Sequence, residues 1–152
     1  MRRLAAYLCL VPLASIAACG SDTASTEKCS AESTFEVVQS VFDQRGCTAS
    51  ACHGVPAAEA AAGLDLRPDS LYESVVNVAG ESGPFPLVFP GDEEFSLLYL
   101  KLAAKTLGTD IASLGISGTP MPSTADQLDE EELEVVRAWI RGGAPRTGVV
   151  AE

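Results

Sequence analysis

Positive charge is scarce in this 152-residue chain: ten Lys and Arg stand against 21 Asp and Glu, for a formal net charge of −11. An excess of that sign repels nucleic acid and anionic lipid surfaces, so neither is an expected partner. A long apolar run is also missing. The leading stretch, Leu4 to Ala18, is too short to span a bilayer and contains Pro12. No internal repeat occurs, strand signals are few, and the length suits one domain rather than two ordinary ones. There is a single histidine, His53, and apart from the initiator a single methionine, Met121. Chemistry that needs an imidazole or a thioether has one position for each.

What is present begins with an export signal. Met1-Arg2-Arg3 supplies the positive end, Leu4 to Ala18 the apolar stretch, and Ile16-Ala17-Ala18-Cys19 a small-residue cleavage site. A site ending in cysteine resembles a bacterial lipoprotein signal, which implies removal of residues 1–18 and a lipid on Cys19. The alternative is an ordinary signal with a chance cysteine. Gly20 stands where an acidic residue in some bacteria retains a lipoprotein at the inner membrane, which points to the outer one. Residues 19–33 are small and polar and suit a flexible tether. Losing Arg2 and Arg3 with the signal deepens the acidic excess. That charge keeps a tethered domain soluble, and it also suits a basic docking partner.

The domain is expected over 34–146, with 147–152 as a tail. A first helix should run from about Thr34 to Arg45, with Ser33 and Glu36 as a capping box, Phe35, Val38, Val41 and Phe42 on one face, and Gly46 as the stop. A short helix is expected over Ser70 to Asn77. Another is expected from Glu93 to Lys105, capped by Asp92 and ended near Gly108, burying Phe95, Leu98, Tyr99 and Leu102. The last should be capped by Asp129 with Glu132 completing a box and Leu128 and Leu133 as a staple. Its core stripe is Leu133, Val136 and Ile140, with Trp139 beside it, and Gly142-Gly143-Ala144-Pro145 ends it. The stretches 54–69, 78–91 and 106–128 are rich in Gly, Pro and Ser. Loops of that length are uncommon in a compact domain unless they serve a site.

The chemistry concentrates in Cys47-Thr-Ala-Ser-Ala-Cys52-His53. Two thiols a short loop apart, followed at once by an imidazole, are what covalent haem attachment requires. Each sulfur adds across one vinyl group, and the histidine is then held beneath the porphyrin, where a ring nitrogen binds the iron. A large flat cofactor would also give the long loops a surface to cover. Iron bound by histidine on one face often takes a methionine sulfur on the other. Met121 lies between Pro120 and Pro122, a setting for neither a helix interior nor a central strand. Such flanks hold a sulfur at a defined point.

From Phe35 to Pro145 the chain resembles a single-haem class I cytochrome c domain of the kind found in bacterial lipoproteins. The matching pieces are the helix leading into Cys47 and Cys52-His53-Gly54, the segment Gly63-Leu64-Asp65-Leu66, and Pro90-Gly91-Asp92 before a helix with Leu100-Lys101-Leu102. Pro120-Met121-Pro122 then precedes a closing helix with Ala138-Trp139-Ile140 and Gly143-Ala144-Pro145. The resemblance implies an all-α, cytochrome c-like bundle of about four short helices with long loops wrapping one haem c. It implies thioethers at Cys47 and Cys52, a proximal ligand at His53 and a distal one at Met121. Four residues separate the cysteines where the family usually has two. The function so implied is single-electron transfer to redox partner proteins on the periplasmic side of a bacterial membrane, not enzymatic turnover, because both axial positions of the iron are filled. One Cys-His pair cannot support a two-haem arrangement.

Two other readings use the same residues. Cys29, Cys47, Cys52 and His53 would make a three-cysteine, one-histidine metal set, although Cys52 and His53 are sequence neighbours and the spacing lacks paired knuckles. Alternatively, Cys47 and Cys52, or Cys29 with either, would form a disulfide in a non-haem interaction lipoprotein. If haem takes Cys47 and Cys52, Cys29 is left over.

Overall fold

The computed structural model describes residues 34–124, 126–148 and 150. The expected export signal, the lipidation site Cys19, the tether, Cys29 and Ser33 lie outside them. The architecture is all-α. Four helices follow one another: α1 (Phe35–Gln44), α2 (Leu71–Val75), α3 (Leu97–Leu107) and α4 (Glu130–Arg141), with single 3-10 turns at Ala61–Gly63 and Ala112–Leu114. No strand forms among the described residues. Isolated bridges between Val76 and Val88 and between Ala79 and Pro86 fasten the loop after α2.

α1 starts one residue later than the Ser33 box implies. Thr34 is extended and its hydroxyl accepts the Val37 N–H at 3.2 Å, so a threonine caps the helix alone. Phe35, Val38, Val41 and Phe42 are buried, the face expected from their spacing. Gly46, at φ +70°, turns the chain out of the helix.

α3 begins at Leu97, four residues after the expected start. The Asp92 carboxylate accepts the Glu94 N–H at 3.0 Å and turns the chain there. The Ser96 hydroxyl, fully buried, donates to the Asp92 carbonyl at 2.7 Å and accepts from the Phe89 N–H at 2.9 Å. These side-chain bonds satisfy the backbone in a way that competes with helix, so Glu93–Phe95 form a turn. Phe95 is consequently 52% exposed instead of buried, and meets Phe85 edge-on at 5.5 Å. Leu98 and Leu102 are buried and Tyr99 partly so, as expected. Gly108 ends the helix at φ +72°.

α4 has the expected capping box in both directions, with Asp129 accepting from Glu132 N–H at 2.9 Å and Glu132 accepting from Asp129 N–H at 3.0 Å. Arg45, just past α1, donates to Glu132 at 2.7 Å and to Asp129 at 3.2 Å, tying the end of one helix to the start of another. α4 packs on both α1 and α3. Trp139 is not beside the core stripe but within it: it is 1% exposed, lies 5.8 Å from the Phe35 ring and donates its indole N–H to the Pro145 carbonyl at 2.9 Å. A Trp139→Ala chain is expected to lose about 3–5 kcal/mol of stability through the cavity and the orphaned carbonyl. Urea unfolding at constant slope measures this, and a loss under 1 kcal/mol would place the tryptophan outside the shared core.

The long loops carry buried residues of their own. Leu66 and Leu128 join the main core, while Ile111 and Ile116 pack with Leu97, Leu100 and Ala104 in a second, smaller cluster. At the other end, Val150 lies so close to Gly142 that a Cβ there would fall 2.0 Å from its methyl group, so the chain returns across the end of α4.

Candidate functional site

The cysteine loop hangs from the end of α1 and is closed by its own backbone. Cys47 N–H donates to Phe42 C=O at 2.9 Å, Cys52 N–H to Ala49 C=O at 2.9 Å and Gly54 N–H to Ala49 C=O at 3.0 Å. His53 N–H donates to Cys47 C=O at 3.1 Å, so the two ends of the motif are bonded directly. The four-residue gap is taken up as an internal turn at Ala49–Cys52. Gly54 has no alternative residue here, because a Cβ would sit 1.8 Å from the Thr48 carbonyl oxygen.

The segment 61–66 lies along this loop. Ala61 N–H donates to Cys52 C=O at 3.2 Å and Leu66 N–H to His53 C=O at 2.8 Å. Between these bonds, His53 Nδ1 lies 3.2 Å from the Leu64 carbonyl oxygen. A carbonyl only accepts, so Nδ1 carries the proton. Burial pushes the His53 pKa below its ordinary value, outweighing the bonds to the Leu64 and Ala61 backbone. The imidazole is therefore neutral at neutral pH, the form that binds a metal.

Cys47, Cys52, His53 and Met121 all line one cleft. It has two lobes, of about 340 and 260 Å³. Both lobes are walled by His53, Leu64, Leu98 and Met121, so they adjoin. The larger adds Cys47, Cys52, Leu66 and Leu102, and the smaller adds Leu87, Leu97 and Lys101. Ligand pockets run roughly 300–1,000 Å³ with mostly apolar walls and few polar groups, and this cleft has that character. Met121 is half-buried at the edge of the main core, and its N–H donates to Lys101 C=O at 3.0 Å. One imidazole and one thioether thus share an apolar cleft with two thiols on its wall. That donor set fits a haem held by thioethers and two axial ligands.

Cys47 and Cys52 are free thiols. Burial pushes the Cys47 thiol up to about 11, with Cys52 and Asp43 adding to the effect, so it is neutral and packs against the core as a small apolar group. Among the described residues no three of His, Cys, Asp and Glu are gathered to hold a metal ion. Cys47, Cys52 and His53 therefore do not converge on one point, and Cys29, the fourth member of the metal set, lies outside the described residues.

Two features beside His53 have no counterpart among the expected site residues. The Leu64 carbonyl is a backbone atom and carries no residue signature, although its segment was singled out. The Asp65–Arg67 pair sits directly behind it. Asp65 is 4% exposed and accepts from Arg67 Nη2 at 2.7 Å and from the Arg67 backbone N–H at 3.0 Å. A buried acid two residues from an arginine is the signal that was available. These bonds hold the Asp65 carboxyl down to about 2.

A folded-state pKa below the unfolded value near 3.9 means stability that is present above pH 4 and lost as pH falls through 2. Asp65→Asn is therefore expected to melt below the wild type at pH 7, with the gap narrowing between pH 4 and pH 2. A gap that stayed constant across that window would show that the charge of Asp65 contributes nothing. No family model, curated protein or solved structure matches the chain. Among the described residues no helix is long and apolar enough to cross a membrane.

Proposed function

We propose that the chain is a c-type cytochrome: a single-haem electron carrier with a cytochrome c-like fold, thioether-linked at Cys47 and Cys52 and ligated by His53 and Met121. The observation that carries this reading is the meeting of His53 and Met121 on one apolar cleft, with Nδ1 of the imidazole held at the Leu64 carbonyl. Bound haem would supply a one-electron couple. The chain's own part is to present the two axial donors, to keep water from the ring with leucines, and to leave no open position for a substrate. Methionine ligation and burial raise the reduction potential.

Electrons would pass to and from redox partner proteins. In this reading Cys19 carries the lipid, and the domain faces the periplasm from the outer membrane.

Haem staining after denaturing electrophoresis tests the proposal, since only covalent haem survives it. The host must possess maturation machinery that accepts the wider cysteine spacing. Haem-free soluble protein from such a host overturns the reading.

Met121→Ala is expected to retain haem and lose the sulfur-to-iron absorption near the red edge of the visible spectrum, with a lowered potential. The open position would then take water or added imidazole. Retention of that band in the variant rules Met121 out as a ligand.

A further inference from the structure

Lys101 lies midway along α3, partly buried, and lines the smaller lobe of the cleft. Its Nζ donates to the Ser117 carbonyl at 2.8 Å and approaches the Thr119 carbonyl at 3.3 Å. Its own carbonyl accepts the Met121 N–H at 3.0 Å. One residue of a packed helix therefore holds the loop 117–121 at three points.

Gly118, at φ +79°, crosses directly beneath the ammonium, where a Cβ would lie 3.5 Å from Nζ. Ser117 has a further hold, its N–H donating to Ser82 C=O at 2.7 Å. The bonds nearer to Met121 come from Lys101. An ammonium donating to two carbonyls of one loop makes charge-assisted bonds, stronger than neutral ones, and so fixes the position of that loop. The loop ends at the only thioether that lines the cleft.

We propose that Lys101 is the positioning residue for the distal ligand, fastening the loop so that the Met121 sulfur is presented to the cleft in one place. This rests on the electron-carrier reading. Lys101 acts through the loop and touches no reacting atom. Without its side chain the loop retains Ser117 and the Met121 N–H bond, but the sulfur leaves its place more often. An added ligand then competes better, because its apparent affinity scales with the fraction of protein whose distal position is open.

The test compares haem-loaded wild type, Lys101→Met and Lys101→Arg as full chains. It uses haem content, the red-edge sulfur band, imidazole titration and amide hydrogen exchange over 117–121. Lys101→Met is expected to keep its haem and its melting temperature within a few degrees. Its sulfur band should weaken, imidazole should bind about tenfold tighter, and the loop amides should exchange about tenfold faster. Lys101→Arg, which keeps a donor on a long stem, should restore most of the band.

General destabilisation would lower the melting temperature without changing the band. Lys101→Met with haem, a wild-type band and wild-type imidazole affinity overturns the proposal and leaves the haem reading standing. Wild type without haem overturns both. Should Lys101→Met fail to fold, Lys101→Gln, whose shorter amide cannot reach both carbonyls, decides by the same measurements.

Discussion

His53→Ala is expected to abolish stable haem incorporation, leaving a chain that gives no haem stain where the wild type stains fully. The chain contains no second imidazole to take the place. His53 is also the residue through which the cleft, the cysteine loop and the 61–66 segment meet: its amide bonds Cys47, its carbonyl accepts from Leu66 and its ring bonds Leu64. Alanine keeps the two backbone bonds and removes the ring, so the loop should persist while the proximal donor disappears. Thiols alone would then face a cofactor whose iron nothing holds in register with them. The measurement is haem per chain by pyridine spectrum, with circular dichroism as the control that helices remain. His53→Ala with wild-type haem content would remove the proximal assignment and with it the proposed function.

The Cys47→Ala/Cys52→Ala chain should lose covalent haem entirely and with it much of its native-state stability. A ligand that binds only the folded state stabilises it, and removing the covalent link removes that contribution. The loss should be uneven. The segments 61–64 and 117–124 border the cleft and should become protease-sensitive. The 109–116 turn should resist longer, because Ile111 and Ile116 pack on α3 and neither lines the cleft. α4, with its reciprocal cap and its contacts to α1 and α3, should keep its helicity. Limited proteolysis with mass mapping reads this pattern. A sharp, wild-type-like melting transition in the double variant would show that protein alone builds the core.

What was legible in the sequence was what neighbours decide. Asp129 and Glu132 are three residues apart and cap α4 through each other, so no distant contact was needed to place its start. The apolar spacing of α1 predicted its buried face for the same reason. Misplaced features depended on partners remote in the chain or on groups without a letter of their own. Ser96 delays α3 by bonding Phe89 and Asp92, and this turned Phe95 outward. Trp139 moves to the centre because Phe35, more than a hundred residues earlier, and the carbonyl of Pro145 receive it. For the cleft, the loop from Cys47 to His53 stood out as a local motif, and Met121 as the one methionine after the initiator. Their meeting across 68 positions, and the Leu64 carbonyl that orients the imidazole, belong to the tertiary fold.

The backbone bond from His53 to Cys47 makes the cysteine loop a sealed ring whose two ends are joined to each other before anything else is attached. The circumference of such a ring can grow or shrink at its far side while the span between its ends stays fixed. Thr48 to Ala51 form that far side here, and they add perimeter without adding reach. The approach of His53 to Cys47 is marked by that bond, with Thr48 to Ala51 looped out from it.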